Sequence, residues 1–147
     1  MHSYEPMDHL KLISETCMLQ HVRAAARRLT EHYETILQPT GLTASQFTTL
    51  VATARAKGAP ISFLAERLDM DRTTMTRVIA PLERRGLVAT LPDKDDKRLR
   101  RLMLTDEGRA LLTEAEALWD RAQDKMLEKI TPDDWADMRG QLAKLTP

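Results

Sequence analysis

Apolar residues follow helical spacing through most of the chain, and that spacing breaks down once, just after residue 86. Met18, Val22, Ala25, Leu29, Tyr33 and Ile36 step by threes and fours, which predicts one long helix over residues 8–37. Gln38-Pro39-Thr40-Gly41 ends it. Thr43 and Gln46 have the spacing of a capping box, and Phe47, Leu50, Val51 and Ala54 supply the inward face of a second helix that Lys57-Gly58-Ala59-Pro60 stops. Ser62 is placed to cap a short third helix carrying Leu64, Ala65 and Leu68, with Asp69 and Met70 as the turn that follows. Met75, Val78, Ile79 and Leu82 then form the stripe of a fourth helix, capped by Asp71 and stopped by Gly86. On its opposite side lie Arg72, Thr73, Thr76, Arg77 and Arg84. Two helices with a tight connection are a helix-turn-helix. Pro81 removes the hydrogen bond to the Arg77 carbonyl and predicts a bend beyond the polar turns, unless it only marks an early helix end.

Beyond Gly86 the period shortens. Residues 87–91 are aliphatic and β-branched, and Arg101, Leu102, Met103 and Leu104 alternate polar with apolar, so both read as strands. Between them, Asp93-Lys94-Asp95-Asp96-Lys97-Arg98 is a hydrophilic turn with no apolar anchor. Thr105 caps a second long helix to about residue 130, with Leu111, Ala115, Leu118, Ala122, Met126 and Ile130 on its stripe. Thr131-Pro132-Asp133-Asp134 opens a last helix with a cap, a proline at the first position and acids in the first turn. The expected fold is mainly α, in the α+β sense: a winged helix-turn-helix core with long N- and C-terminal dimerisation helices. The chain reads as a single domain over residues 1–147, with a DNA-binding lobe at 42–108 and a helical dimerisation region at 8–37 and 106–145. The terminal helices carry more apolar surface than the core needs to cover itself, which suggests a homodimer.

Charge changes the picture only when it is located. The chain has 22 basic and 22 acidic residues, an unpromising balance for phosphate neutralisation. Residues 72–101, however, hold nine basic and four acidic side chains, whereas residues 106–147 hold six basic and ten acidic ones. One face can therefore attract a polyanion while the remainder keeps the molecule soluble. No apolar run approaches the roughly 18–20 residues of a bilayer span, so no membrane partner is expected. Residues 1–12 carry His2, Glu5, Asp8 and His9 and lack the pattern of a secretory signal. Cys17 is the only cysteine, which fits a reducing cytoplasm. There is no glycine-rich phosphate loop, no metal-ligand series and no nucleophile motif paired with a histidine, so neither an enzyme nor a cofactor is expected.

The chain resembles the multiple-antibiotic-resistance regulator (MarR) family of bacterial transcription factors. The resemblance rests on Gly41-Leu42-Thr43 with Gln46-Phe47, Leu64-Ala65 with Leu68, the run from Asp71 to Arg77, Leu82-Glu83 with Gly86-Leu87-Val88, and Asp96-Lys97-Arg98 followed by Leu104-Thr105-Asp106-Glu107-Gly108. It implies an obligate homodimer on a pseudo-palindromic double-stranded DNA site, with the second helix of each helix-turn-helix in the major groove and the wing at the minor groove. Arg72 and Arg77 are long donors for guanine edges or phosphates, and Thr73, Thr74 and Thr76 suit phosphates or a thymine methyl. Lys94, Lys97 and Arg100 add cationic wing contacts. Arg98 matches the family's wing arginine and is assigned to the minor groove, with Asp96 orienting it.

The resemblance also implies a probable repressor, released from DNA by a small aromatic or phenolic ligand in a pocket bordered by His32, Tyr33, Phe47, Met70 and Trp119. Cys17 raises the alternative of a cysteine-based redox sensor. Aligned on the spacing from Tyr33 to Gln46, the hydroperoxide-sensing branch would place its cysteine at Leu19, and Ala44 stands where a cysteine-contacting tyrosine is expected. Two residues on a helix rotate a side chain by about 200°, so a packed thiol is the favoured reading. Cys17 and His21 supply two potential metal ligands and no third, and no metal site is expected. A winged-helix protein-interaction module would expose aromatic and aliphatic side chains where this chain has threonine and arginine.

Overall fold

The computed structural model describes residues 6–146. It contains helices α1 (Pro6–Thr16), α2 (Met18–Leu37), α3 (Ala44–Ala56), α4 (Ile61–Arg67) and α5 (Arg72–Arg84), then strands β1 (Val88–Pro92) and β2 (Arg100–Leu104), then helices α6 (Asp106–Leu127) and α7 (Pro132–Ala143). Residues 1–5, part of the stretch read as lacking a secretory signal, lie outside the described residues, as does Pro147. No helix among those described is long and apolar enough to cross a membrane.

The caps follow local chemistry. Thr43 and Gln46 form a reciprocal capping box at α3, and Thr131 and Asp134 form another at α7. The Thr105 hydroxyl accepts from the Gly108 amide at α6, and Gly86 leaves α5 with φ of +70°. Ser62 does not cap α4: Pro60 occupies that position with extended backbone (ψ of 142°), and its carbonyl accepts from the Leu64 amide at 3.2 Å. Pro81 does not end α5, which runs on to Arg84.

The helix expected over residues 8–37 is two helices. Cys17 between them has ψ of 111°, and near the junction the Thr16 and Ser14 hydroxyls donate to the carbonyls of Leu12 and Lys11 at 2.7 and 2.9 Å. Such side-chain donation competes with the backbone ladder and bends helices. Residues 8–16 are all exposed, so the junction is not packed into the core. The predicted stripe of α2 is correspondingly split: Tyr33 and Ile36 are half-buried, whereas Met18, Val22, Ala25 and Leu29 are exposed.

The core lies between α3, α5, α6 and the sheet, around Leu37, Leu50, Leu64, Met75, Leu82 and Leu102, all essentially inaccessible to solvent. β1 and β2 pair antiparallel in the register Val88 with Leu104 through Pro92 with Arg100. Two hydrogen bonds lock the hairpin base to α6, Thr105 N–H to the Leu87 carbonyl at 3.1 Å and Thr105 hydroxyl to the Gly86 carbonyl at 2.6 Å. The approach is so close that a Cβ on Gly108 would stand 2.0 Å from the Leu87 carbonyl oxygen. Because that obstacle is backbone, Gly108→Ala should lower unfolding free energy by about 1–3 kcal/mol in urea titration, the usual range for overpacking. Wild-type stability in this variant would show that α6 is free to move away from the hairpin.

Candidate nucleic-acid interface

α5 turns Met75, Ile79 and Leu82 into the core, which leaves Arg72, Thr73, Thr74, Thr76 and Arg77 exposed on its other side. Its N-terminus is fixed by Asp71, whose carboxylate accepts from the Thr74 amide at 2.6 Å. That bond, above all, holds the Asp71 carboxyl below its ordinary range, with the Arg77 charge as a lesser contributor. The five exposed residues are not equivalent as donors. The Thr76 hydroxyl already donates to the Arg72 carbonyl at 2.9 Å, so what it offers outward is its methyl group and remaining lone pairs.

The wing turn presents exposed Lys94, Lys97, Arg98 and Arg100. Asp96 accepts from the Arg98 amide at 3.0 Å and from its Nε at 3.2 Å, which directs an otherwise exposed guanidinium. Arg72 and Thr76 from α5, together with Arg98 and Arg100 from the wing, line one groove of about 670 Å³ closed on its far side by α4. Thr73, Thr74, Arg77, Lys94 and Lys97 lie outside that groove on the same two elements.

Charge patterning missed two residues. The sequence treats Asp93 and Arg101 as members of a solvated hairpin, yet Asp93 is only 7% exposed. Its carboxylate accepts from Arg101 Nε and from the amides of Asp96 and Asp95, and those bonds, Arg101 foremost, lower its carboxyl to about 2. Arg101 also donates from Nη1 to the Gly58 carbonyl. The available signal was an aspartate followed at two and three residues by free amides, the chemistry of a side-chain-closed turn.

The residues proposed for a ligand pocket do not converge. Phe47 and Trp119 share a cavity of about 560 Å³ with Val51, Leu68, Arg55 and Arg67. Met70 lies instead in the groove between α4 and the wing. His32 and Tyr33 join α2 to α6, His32 Nε2 lying 2.9 Å from the Ala122 carbonyl oxygen and the Tyr33 hydroxyl donating to Gln123. Burial raises the Tyr33 phenol pKa. Their α6 partners lie beyond Leu112, Glu116 and Trp119, the α6 residues that line the cavity. Cys17 is partly exposed at the α1–α2 junction, and His21 Nδ1 lies 2.8 Å from its carbonyl oxygen. Among the described residues no three potential metal ligands cluster.

The MarR family model matches residues 42–99, the span from the start of the helix-turn-helix region through the wing turn. The chain is 29% identical over 107 residues to the organic hydroperoxide resistance transcriptional regulator of Bacillus subtilis, covering 73% of this chain and 71% of that protein. Among solved structures it is similar to the transcriptional regulator MosR of M. tuberculosis in complex with DNA, at 36% identity, with 88% of this chain and 93% of that one covered and a TM-score of 0.80. It is also similar to CouR, a transcriptional repressor bound to a 23-mer DNA duplex, at 29% identity over 91% and 94% of the two chains with a TM-score of 0.84. A polar reading helix and a cationic wing on one groove, in a fold shared with regulators seen on DNA, make this chain a member of the MarR family of winged helix-turn-helix, DNA-binding transcriptional regulators.

Proposed function

We propose that the protein is a homodimeric repressor that reads a pseudo-palindromic operator and is released by a small aromatic or phenolic acid. The observation that carries the DNA part is the shared groove of Arg72, Thr76, Arg98 and Arg100. In this reading, α5 enters the major groove and Arg98 the adjacent minor groove, while Thr73, Thr74, Arg77, Lys94 and Lys97 serve the flanking backbone. CouR, a repressor by description, supports the direction of control. Binding to a duplex from the region upstream of the gene should weaken with salt at a log-log slope of about −0.9 per neutralised phosphate. Arg98→Ala should cost about 1–3 kcal/mol of that binding and leave the oligomeric state unchanged. A salt-independent affinity, or one equal to that for random DNA, would remove the specific-regulator reading.

Dimerisation is supported by apolar side chains that this chain does not cover. Ile13, Leu19, Val22, Leu29, Met138 and Leu142, on α1, α2 and α7, are 37–65% exposed, and α7 buries none of its residues. Helices of this length are marginal alone in water, so a second copy is the natural cover. Val22→Glu combined with Leu142→Glu should shift sedimentation from two chains toward one; an unaltered dimer would place the interface elsewhere.

Effector release is supported by the 560 Å³ cavity, a size suited to a small molecule, with aromatic faces from Phe47 and Trp119 and guanidinium groups from Arg55 and Arg67. The seven-residue α4 borders both spaces: Arg67 and Leu68 face the cavity, while Ala65 and Glu66 face the DNA groove. A ligand that shifts α4 therefore changes the groove. Aromatic carboxylic acids should dissociate the wild-type complex, with about tenfold higher concentrations needed for Arg55→Ala or Arg67→Ala, as expected for loss of a charge-assisted contact. Release by organic peroxide that is abolished in Cys17→Ser would replace this reading with the redox one.

A further inference from the structure

Arg101 stands beside Arg100 in the wing strand β2, and charge alone would assign both to DNA. The half-exposed Arg101 guanidinium is engaged within the lobe instead. Its Nε donates to Asp93 and its Nη1 to the carbonyl of Gly58, in the connection between α3 and α4. Adjacent backbone ties reinforce the same junction: Leu102 N–H donates to the Ala59 carbonyl at 3.1 Å, and Pro60 forms an isolated bridge with Arg101. On the other side, Asp93 gathers the wing turn. It accepts from the amides of Asp95 and Asp96 at 3.0 and 2.9 Å, and its own N–H donates to the Leu99 carbonyl at 2.9 Å. Asp96 in turn holds Arg98.

A continuous run of polar contacts thus leads from the α3–α4 connection at Gly58, through Arg101, Asp93 and Asp96, to Arg98. The outer wing has no apolar alternative, since Leu91 and Leu99 are both exposed. A two-stranded hairpin is marginal without such support. We propose that Asp93 and Arg101 form a clamp that sets the direction of the wing relative to α5, so that both are positioning residues for DNA binding while contacting no DNA themselves. With its carboxyl lowered to about 2, Asp93 is ionised throughout the neutral range and so remains an acceptor for Arg101 there. The inference rests on DNA binding by the family and is independent of repression or effector release.

The test uses the full-length protein and a fluorescent duplex enriched by the wild type from a random-sequence library. Asp93→Asn should weaken binding about tenfold, the scale expected when a contact residue loses its supporting shell. Long-range electrostatics predicts the opposite sign, because the variant removes a negative charge near DNA. Arg101→Lys keeps the charge but cannot reproduce the guanidinium fork, and it should show a similar loss with an unchanged salt slope. In an Arg98→Ala background, Arg101→Ala should add less than about a twofold further loss, because both act through one contact. Thermal unfolding followed by circular dichroism sets a common temperature at which every variant is folded. Tighter binding by Asp93→Asn, or wild-type affinity for either single variant at that temperature, overturns the proposal. Additive losses at Arg98 and Arg101, each lowering the salt slope by about 0.9, also overturn it by making Arg101 a phosphate ligand.

Discussion

One packed face governs this molecule. Burying Met75, Ile79 and Leu82 fixes the rotation of α5 about its own axis, and that rotation alone decides that Arg72, Thr73, Thr76 and Arg77 face outward together. The tight contact between Gly108 and the Leu87 carbonyl then sets where the hairpin leaves the core, and so where the wing stands beside α5. Apolar packing thereby places the side chains that line a polar groove.

The acidic residues of this basic lobe are resolved by the same economy. Asp71, Asp93 and Asp96 each accept backbone amides, at the start of α5, within the wing turn and at Arg98. A carboxylate so engaged adds negative charge near a phosphate site, yet it orders the donors around it. Formal charge over residues 72–101 therefore overstates the number of cations free to meet DNA, since Arg101 is engaged by Asp93 and the Gly58 carbonyl, and understates how well Arg98 is aimed. Arg85 is a second engaged cation: although exposed, its guanidinium donates to the Thr40 carbonyl at 2.8 Å and to the Gly41 carbonyl at 3.3 Å, joining the end of α5 to the turn after α2. The end of α5 and the turn after α2 are thus connected by polar contacts as well as by the core.

Much of this architecture was legible in the residues because the relevant signals are local. Asp71, Thr43, Thr105, Thr131 and Gly86 act within four positions of themselves, and the change in apolar period at residue 87 separates helix from hairpin. The pocket was less legible. His32, Tyr33 and Met70 have suitable chemistry, but a cavity is the space between elements, and its walls depend on how α3, α4 and α6 meet. The excess of apolar surface on the terminal helices follows from periodicity, but which part of the stripe stays uncovered, Met18, Val22 and Leu29 rather than Tyr33 and Ile36, does not.

The sequence by itself therefore determined the order of elements from α3 onward, the caps at Thr43, Asp71, Thr105 and Thr131, and the composition of the polar face of α5, since each follows from neighbours along the chain. Only the tertiary structure decided that residues 8–37 form two helices, that Asp93 is buried, and that Arg101 turns inward to Gly58, 43 positions away. The physical reason is common to the last two. Burial and hydrogen-bond satisfaction depend on which distant groups arrive at a position, and a charged residue in a polar run looks the same in sequence whether water or a carbonyl from another element receives it.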